Sequence, residues 1–354
     1  MANEKQGTGT GTVYSMTNAS PINEVIAFRR DTNGKLTFLR AFETGGSGTG
    51  QAMVDPLSSQ GSVILSDNGS FLFAVNAGSN SISSFRVKQD GQLKLENVEP
   101  SGGIKPNSLT MHGNLLYVTN AGNMTGGAAS NVTGFYIDKN GNLTMITGAM
   151  KPLSSSTAQP ACVVFDPSGS QIVVSELNTN KLSVYQVHQD GSLSGPTVNK
   201  SNGPGPFGSV FLSNGVLLVT EAGDNALSSY TLDRDGKLAV VSGSILNAQS
   251  ATCWVTVYDS FAYTSNAGSN TLSPYRIKNK ERLSLLRIKY STIQSVAAPL
   301  DSAASEDGHN LYVLNGNQGS ITVFRIGKDG QLARLQVFKN TGLPTLGAQG
   351  LALR

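Results

Sequence analysis

Phe71-Leu-Phe-Ala-Val-Asn76-Ala-Gly-Ser-Asn80-Ser-Ile-Ser-Ser-Phe85-Arg-Val-Lys-Gln-Asp-Gly91-Gln92 is the stretch on which the chain is built. An apolar run leads into Asn-Ala-Gly, a half-polar run carries one aromatic, and Asp-Gly closes it. The aromatic recurs as Phe28, Phe85, Phe135, Tyr185, Tyr230, Tyr275 and Phe324, and six residues later come Gly34, Gly91, Gly141, Gly191, Gly236, Glu281 and Gly330. Two residues further lie Leu36, Leu93, Leu143, Leu193, Leu238, Leu283 and Leu332. The aromatics are 57, 50, 50, 45, 45 and 49 residues apart. A constant internal grammar with variable padding is the signature of a repeat architecture with loop insertions.

Composition agrees. The 354 residues include 40 glycines, only 14 % are charged, and the net charge is +3. No capped segment has helical apolar spacing, so short strands and tight turns are expected throughout. The cations are scattered singly (Arg86, Lys88, Arg234, Lys237, Arg276, Lys278, Arg325, Lys328), which argues against a nucleic-acid surface. No apolar run reaches the roughly 18 residues needed to cross a bilayer. The polar start, Met-Ala-Asn-Glu-Lys-Gln, reads as no signal peptide, and either a cytoplasmic location or export of a chain lacking its leader fits it. Cys162 and Cys253 fall at equivalent positions of the fourth and sixth repeats, too far apart to bridge, so buried free thiols are expected.

Each repeat divides into four strands. In the second they are 61–66, 71–76, 81–88 and 92–98, with turns at Asp67-Asn-Gly69 and Gln89-Asp-Gly91. Asn-Gly and Asp-Gly supply the positive φ that tight hairpins require. The sixth repeat replaces this turn with Asn279-Lys-Glu-Arg282 and should have the least ideal hairpin. The small and β-branched first strands suit a crowded axis. Four-stranded sheets around an axis make an all-β, seven-bladed β-propeller. The first repeat lacks its innermost strand, and Gly347-Ala-Gln-Gly-Leu-Ala-Leu353 matches the missing piece. A C-terminal strand completing the first blade would close the ring and hide two edges. Residues 1–11 are expected to be a loose tail and 12–354 a single domain. Gly7-Thr-Gly-Thr-Gly11 has no lysine at phosphate-loop spacing.

The long insertions (45–60, 122–131, 148–159, 200–207, 290–298, 340–346) all fall on one rim, where function is expected. At the end of each second strand a polar residue recurs: Asn18, Asn76, Asn120, Glu176, Glu221, Asn266 and Asn315. Turn chemistry accounts for the asparagines but not for Glu176 and Glu221, on adjacent blades. Two carboxylates facing one funnel would form an acid/base pair, and the alternative is a pair of solvated rim carboxylates or caps on backbone amides. The crossings into the next blade add Asn107, Gln159, Phe207, Trp254, Asp301 and Gln349. Trp254, the only tryptophan, could stack on a planar ligand or fill axial space. His112, His188 and His309 all belong to turns of the opposite rim. That removes Ser-His-Asp chemistry from the funnel, and no cluster has metal-ligand spacing. No metal, cofactor, nucleic acid or membrane is expected; the expected partner is a small molecule in the funnel of a monomer.

The repeated grammar, with Gly61-Ser-Val-Ile-Leu-Ser-Asp67, Ser175-Glu176-Leu-Asn178, Pro206-Phe-Gly208, Ala251-Thr-Cys-Trp254 and Leu311-Tyr-Val-Leu-Asn315, resembles the bacterial lactonase family of seven-bladed propellers. That family includes cycloisomerase-type 6-phosphogluconolactonases and fungal carboxy-muconate cyclases. The resemblance spans about Val13 to Leu353. It implies a basic residue after a proline in the crossings, paired with a glutamate at the end of a second strand. Glu176 matches the glutamate, but Pro106, Pro160, Pro206 and Pro299 are followed by Asn107, Ala161, Phe207 and Leu300. The resemblance therefore implies a lactonase-like pocket for a neutral ring. In the enzymatic reading Glu176 or Glu221 is the base, and Asn76, Asn120 and Asn266 donate to the oxyanion. The alternative is a non-catalytic scaffold binding a glycan, peptide or protein on the long-loop rim.

Overall fold

A computed structural model describes residues 10–123, 127–286, 293–294 and 297–354; the expected tail therefore lies almost wholly outside the described residues. Alternating apolar residues punctuated by positive-φ glycines form seven antiparallel sheets, and no helix occurs among the described residues. From the axis outward, blade 2 is Val63–Leu65, Phe71–Asn76, Ser81–Val87 and Leu93–Pro100. Blade 3 is Pro106–His112, Leu115–Asn120, Asn131–Ile137 and Leu143–Met145, with Lys151–Pro152 pairing the third strand again. Blade 4 runs Pro160–Phe165, Gln171–Glu176, Lys181–Val187 and Leu193–Lys200. Blade 5 runs Pro206–Phe211, Val216–Glu221, Ala226–Leu232 and Leu238–Leu246. Blade 6 is Thr252–Tyr258, Phe261–Asn266, Thr271–Lys278 and Arg282–Leu285, joined by Ile293–Gln294. Blade 7 is Pro299–Ala304, Asn310–Asn315, Ser320–Ile326 and Leu332–Phe338.

Blade 1 closes the ring as expected. Its outer strands are Gly11–Met16, Glu24–Arg30 and Leu36–Glu43, and Gln349–Leu353 is its innermost strand. Val13 pairs with Leu353, Tyr14 with Ala352 and Met16 with Gln349. Arg30 adds a bond to the Tyr312 hydroxyl (2.9 Å) and an ion pair with Asp307, tying blade 1 to blade 7. Pairing head with tail covers the edge of Gly11–Met16 that would otherwise be open.

The seven recurring aromatics are buried to within 1 % and form wedges between sheets. The recurring glycines have a physical reason too. Tyrosines of the second strands donate to the turn glycine of the next blade: Tyr14 to Gly91 (2.9 Å), Tyr117 to Gly191 (2.6 Å), Tyr263 to Gly330 (3.1 Å) and Tyr312 to Gly34 (2.8 Å). Positive φ and this cross-blade carbonyl both sit on one residue, and a Cβ on Gly330 would come within 2.4 Å of the Phe261 ring. At the glycine-free sixth turn, Asn279 and Lys280 take φ of 51° and 63°, and the fourth strand is only four residues long.

Candidate functional site

The polar residues ending the second strands turn inward on the protein. Asn76 accepts from Asn23 (3.0 Å) and Thr44 (2.7 Å) and donates to Ser81 (3.2 Å) and Ser83 (2.7 Å). Asn266 repeats the arrangement with Asn247 (3.1 Å), Thr252 (2.7 Å), Thr271 (3.0 Å) and Ser273 (2.9 Å). Asn315 donates to Ser320 (3.0 Å) and Thr322 (2.9 Å). Asn120 donates to the Ser101 carbonyl (3.1 Å) and Asn131 (2.8 Å). Asn76, Asn120 and Asn266 each clamp a crossing segment to the third strand, and Asn315 holds its own third strand.

Glu176 and Glu221 do the same work. Glu176 accepts from the Ser154 amide (3.0 Å), Thr179 and Ser183 (2.6 Å each), and from the Ser154 hydroxyl. Glu221 accepts from the Gly203 amide (2.8 Å), Ser228 (2.8 Å), Tyr230 (3.2 Å) and Ser244 (2.6 Å). Both are fully buried and share no partner, so the expected pair of funnel-facing carboxylates is not what the structure brings together. The switch from Asn to Glu has a local cause. Five residues on, Asn76, Asn266 and Asn315 meet the hydroxyls of Ser81, Thr271 and Ser320, to which an amide donates. Glu176 and Glu221 have Lys181 and Ala226 at that position, and every remaining neighbour is a donor. That spacing was in the sequence as a signal.

The crossing residues meet at the axis, where residues 54–60 lie across the loop-rich end of the funnel. Ser59 donates to the Asn107 carbonyl (2.7 Å), and Gln60 donates its amide N–H to Ala161 (2.9 Å) and its side chain to the Ser209 carbonyl (3.1 Å). The Gln60 carbonyl oxygen accepts from Val255 (3.0 Å), and the Ser59 carbonyl accepts the Trp254 indole N–H (3.0 Å). Asn107 donates to Leu57 (3.3 Å) and Pro160 (2.7 Å). One segment from blade 1 thus touches blades 3 to 6. Trp254 is 2 % exposed and packs edge-on against Phe207 at 5.1 Å. It fills axial space under the plug and presents no stacking face to solvent. Gln159, 8 % exposed at φ 51°, accepts the Leu177 amide through its backbone.

Two carboxyls remain at the axis. Asp301 is 5 % exposed; its Oδ1 accepts the Gly61 amide (3.1 Å), and its Oδ2 has no hydrogen-bond partner among the described residues. Asp55, in the plug, accepts from the Ser58 amide (2.9 Å) and faces the Gln349 amide, whose buried oxygen is likewise unpartnered. Burial pushes the Asp301 carboxyl up to about 7, against the pull of the Gly61 and Gly350 amides. Asp55 is also pushed up to about 7, by burial and then by the charge of Asp301. The effect acts fully on Asp301 and less on Asp55, which keeps part of its surface in solvent. Burial lowers the Lys105 ammonium against the opposing attraction of Asp55. Asp55 escaped the sequence reading because no local pattern marks a loop residue that will reach the axis.

Beneath the plug runs an axial chamber of about 290 Å³, lined by Gln60, Gly61, Val63, Ile64, Leu65, Asp301, Ser302, Leu351, Ala352 and Leu353. It leads from Asp301 toward Leu65 and Leu353, the strand ends nearer the hairpin-turn rim. Clefts of about 400 and 520 Å³ lie on that outer rim, but no buried unpartnered side chain lines them. The three histidines are exposed at that rim and none lines the chamber. Cys162 and Cys253 are free and buried, and burial pushes the Cys162 thiol up to about 12, far from a reactive thiolate. No group of three or more His, Cys, Asp or Glu among the described residues could hold a metal ion.

A sequence model described as "Lactonase, 7-bladed beta-propeller" matches residues 12–154 and 129–346. No curated protein matches. Solved structures with the same fold include a periplasmic gluconolactonase of Pseudomonas aeruginosa, 16 % identical, covering 98 % of this chain and 99 % of that one, with a TM-score of 0.76. A putative 6-phosphogluconolactonase from Bacteroides fragilis is 16 % identical, covers 100 % of both chains and has a TM-score of 0.74. A Lactobacillus plantarum protein is 17 % identical over 98 % of this chain and 100 % of that one, with a TM-score of 0.75. With its seven sheets, its tail-to-head closure and a profile match over most of its length, the chain belongs to the seven-bladed lactonase β-propeller family.

Proposed function

We propose that the protein hydrolyses a small neutral lactone-type ring in the axial chamber, with Asp301 as general base. The observation that carries this is a carboxyl at the chamber's inner end, with one oxygen unengaged and an affinity for protons near neutrality. A base poised near the working pH is the most effective one. Water adds to the ring carbonyl carbon as Asp301 takes its proton. The ring C–O bond then breaks, and the proton passes to the departing alkoxide, giving a hydroxy acid. Glu176 and Glu221 are not assigned this role, because four donors each already occupy their carboxyl oxygens.

The test is pH-stat hydrolysis of a panel of neutral lactones by wild type and Asp301→Asn. Loss of turnover in the variant, with its fold intact, supports the reading. Equal rates in both, or no turnover in either, defeat it.

A second reading, a binding scaffold, is favoured by one observation. Ile22, Met53, Ile104 and Leu246, 52, 54, 41 and 61 % exposed, all stand on the long-loop rim. Exposed apolar residues gathered at one end are a feature of interaction surfaces. Binding on a glycan and peptide array that vanishes in Met53→Asp and Leu246→Asp, while lactones go untouched, would establish it.

A further inference from the structure

The polar side chains around the axial chamber are largely engaged already. The Gln60 amide is bonded at both ends, to Ser209 and Val255. The Ser302 hydroxyl pairs with Thr256 at 2.7 Å. Val63, Ile64, Leu65, Leu351, Ala352 and Leu353 supply the rest of the wall, and the lining contains no Lys, Arg or His. One polar side-chain atom remains unengaged, Asp301 Oδ2, at the inner end. The chamber is therefore amphipathic along its length: an acid/base group at one end and aliphatic wall toward the other.

We propose that the substrate is an alkyl-substituted lactone, its ring against Asp301 and its alkyl chain lying along the axis against Leu65, Leu351 and Leu353. This rests on the hydrolytic reading above and narrows its substrate class. A polyhydroxylated sugar lactone would bring several hydroxyls to a wall with one open side-chain partner, and the backbone edges of the three innermost strands could meet only some of them. Each polar group desolvated without a partner weakens binding by about five- to 150-fold. A phosphorylated lactone would in addition place an anion in a chamber with no cationic side chain and with Asp301 at its end. Volume sets the size. About 290 Å³, at roughly 30 Å³ per water-sized group, accommodates about ten heavy atoms, the size of a five-membered lactone bearing four extra carbons.

The experiment compares kcat/KM for γ-butyrolactone, γ-hexalactone, γ-octalactone, glucono-δ-lactone and its 6-phosphate. In parallel, calorimetry measures binding of the matching alkyl γ-lactams, which are not turned over. Each added methylene is expected to raise kcat/KM, and lactam affinity, about fourfold, the factor equivalent to ~0.8 kcal/mol per buried CH₂. Leu353→Ser is expected to flatten that series. The lactam series read on wild type keeps the test valid even if this variant folds poorly. Preference for glucono-δ-lactone or its phosphate, with alkyl lactones untouched, overturns this inference and leaves the hydrolytic reading standing. Chain-dependent lactam binding without turnover of any lactone supports the inference about the chamber and defeats the hydrolytic reading. No turnover and no lactam binding overturns both.

Discussion

The glutamates of blades 4 and 5 and the aspartates of the axis are all shielded carboxyls, yet their surroundings are opposite. Glu176 and Glu221 each sit among four donors. Asp301 has the Gly61 amide on one oxygen and no hydrogen-bond partner on the other among the described residues. Donors stabilise the anion, and burial without donors favours the neutral acid. A carboxylate wrapped in hydroxyls and amides is therefore a structural brace, whereas an under-served one exchanges its proton near neutral pH. Burial alone does not separate a brace from a working group; the donor count does.

The sharpest way to break that contrast is to remove the axial base. Asp301→Asn is expected to lower kcat on its best lactone by about 10²–10⁴-fold, the span typical of a general base, with the melting temperature retained; pH-stat rates and calorimetry read the two together. Next in size is Glu176→Ala, which leaves buried donors unmatched and should destabilise by about 3 kcal/mol, read from urea unfolding. Its folded fraction should keep wild-type turnover, and a collapse of kcat there would reverse the roles assigned.

A smaller effect is carried by the closing ion pair. Burial raises Asp307 but the Arg30 and Ser305 hydrogen bonds prevail, holding it at about 2. A depressed folded value gives stability that is present above the unfolded range, near pH 4, and lost as pH falls toward 2. Asp307→Asn should remove that acid limb of the stability profile, and an unchanged acid transition would show that Arg30 does not hold the ring closed. Asp301 has the opposite sign. With its folded value raised to about 7, stability falls as pH rises from about 4 to 7. Asp301→Asn should then narrow the stability gap between pH 5 and pH 8. Smallest of all, Tyr117→Phe removes one cross-blade bond to Gly191 and should cost about 1 kcal/mol, measured by urea midpoint.

The ring was legible because its grammar is local. Gly91, Leu93 and Phe85 sit at fixed offsets, since one hairpin turn and one wedge recur in nearly every blade, and even the closing strand at 349–353 could be matched to the gap left in the first repeat. The site was legible only in part. Asp301 and Gln349 fall at the axis as their place in the crossings implies. Glu176 and Glu221 cap the backbone amides of Ser154 and Gly203, one of the roles the sequence allowed, and do not meet as an acid/base pair; their other donors lie three to nine residues on and in segments 22 and 23 residues away. Asn107, expected to face a ligand, holds the plug instead, and Trp254 takes the second of its two expected roles and fills axial space. No spacing rule announces that 54–60 will span the ring and touch blades 3 to 6, because those contacts join residues 48 to 195 positions apart.

The distinction between brace and base is tested most directly by one side-by-side measurement: kcat/KM on γ-octalactone for Asp301→Asn, Glu176→Gln and Glu221→Gln, each normalised to folded protein. Turnover is expected to be lost in the aspartate variant alone. Full activity in Asp301→Asn, with turnover lost in either glutamine variant, would contradict it.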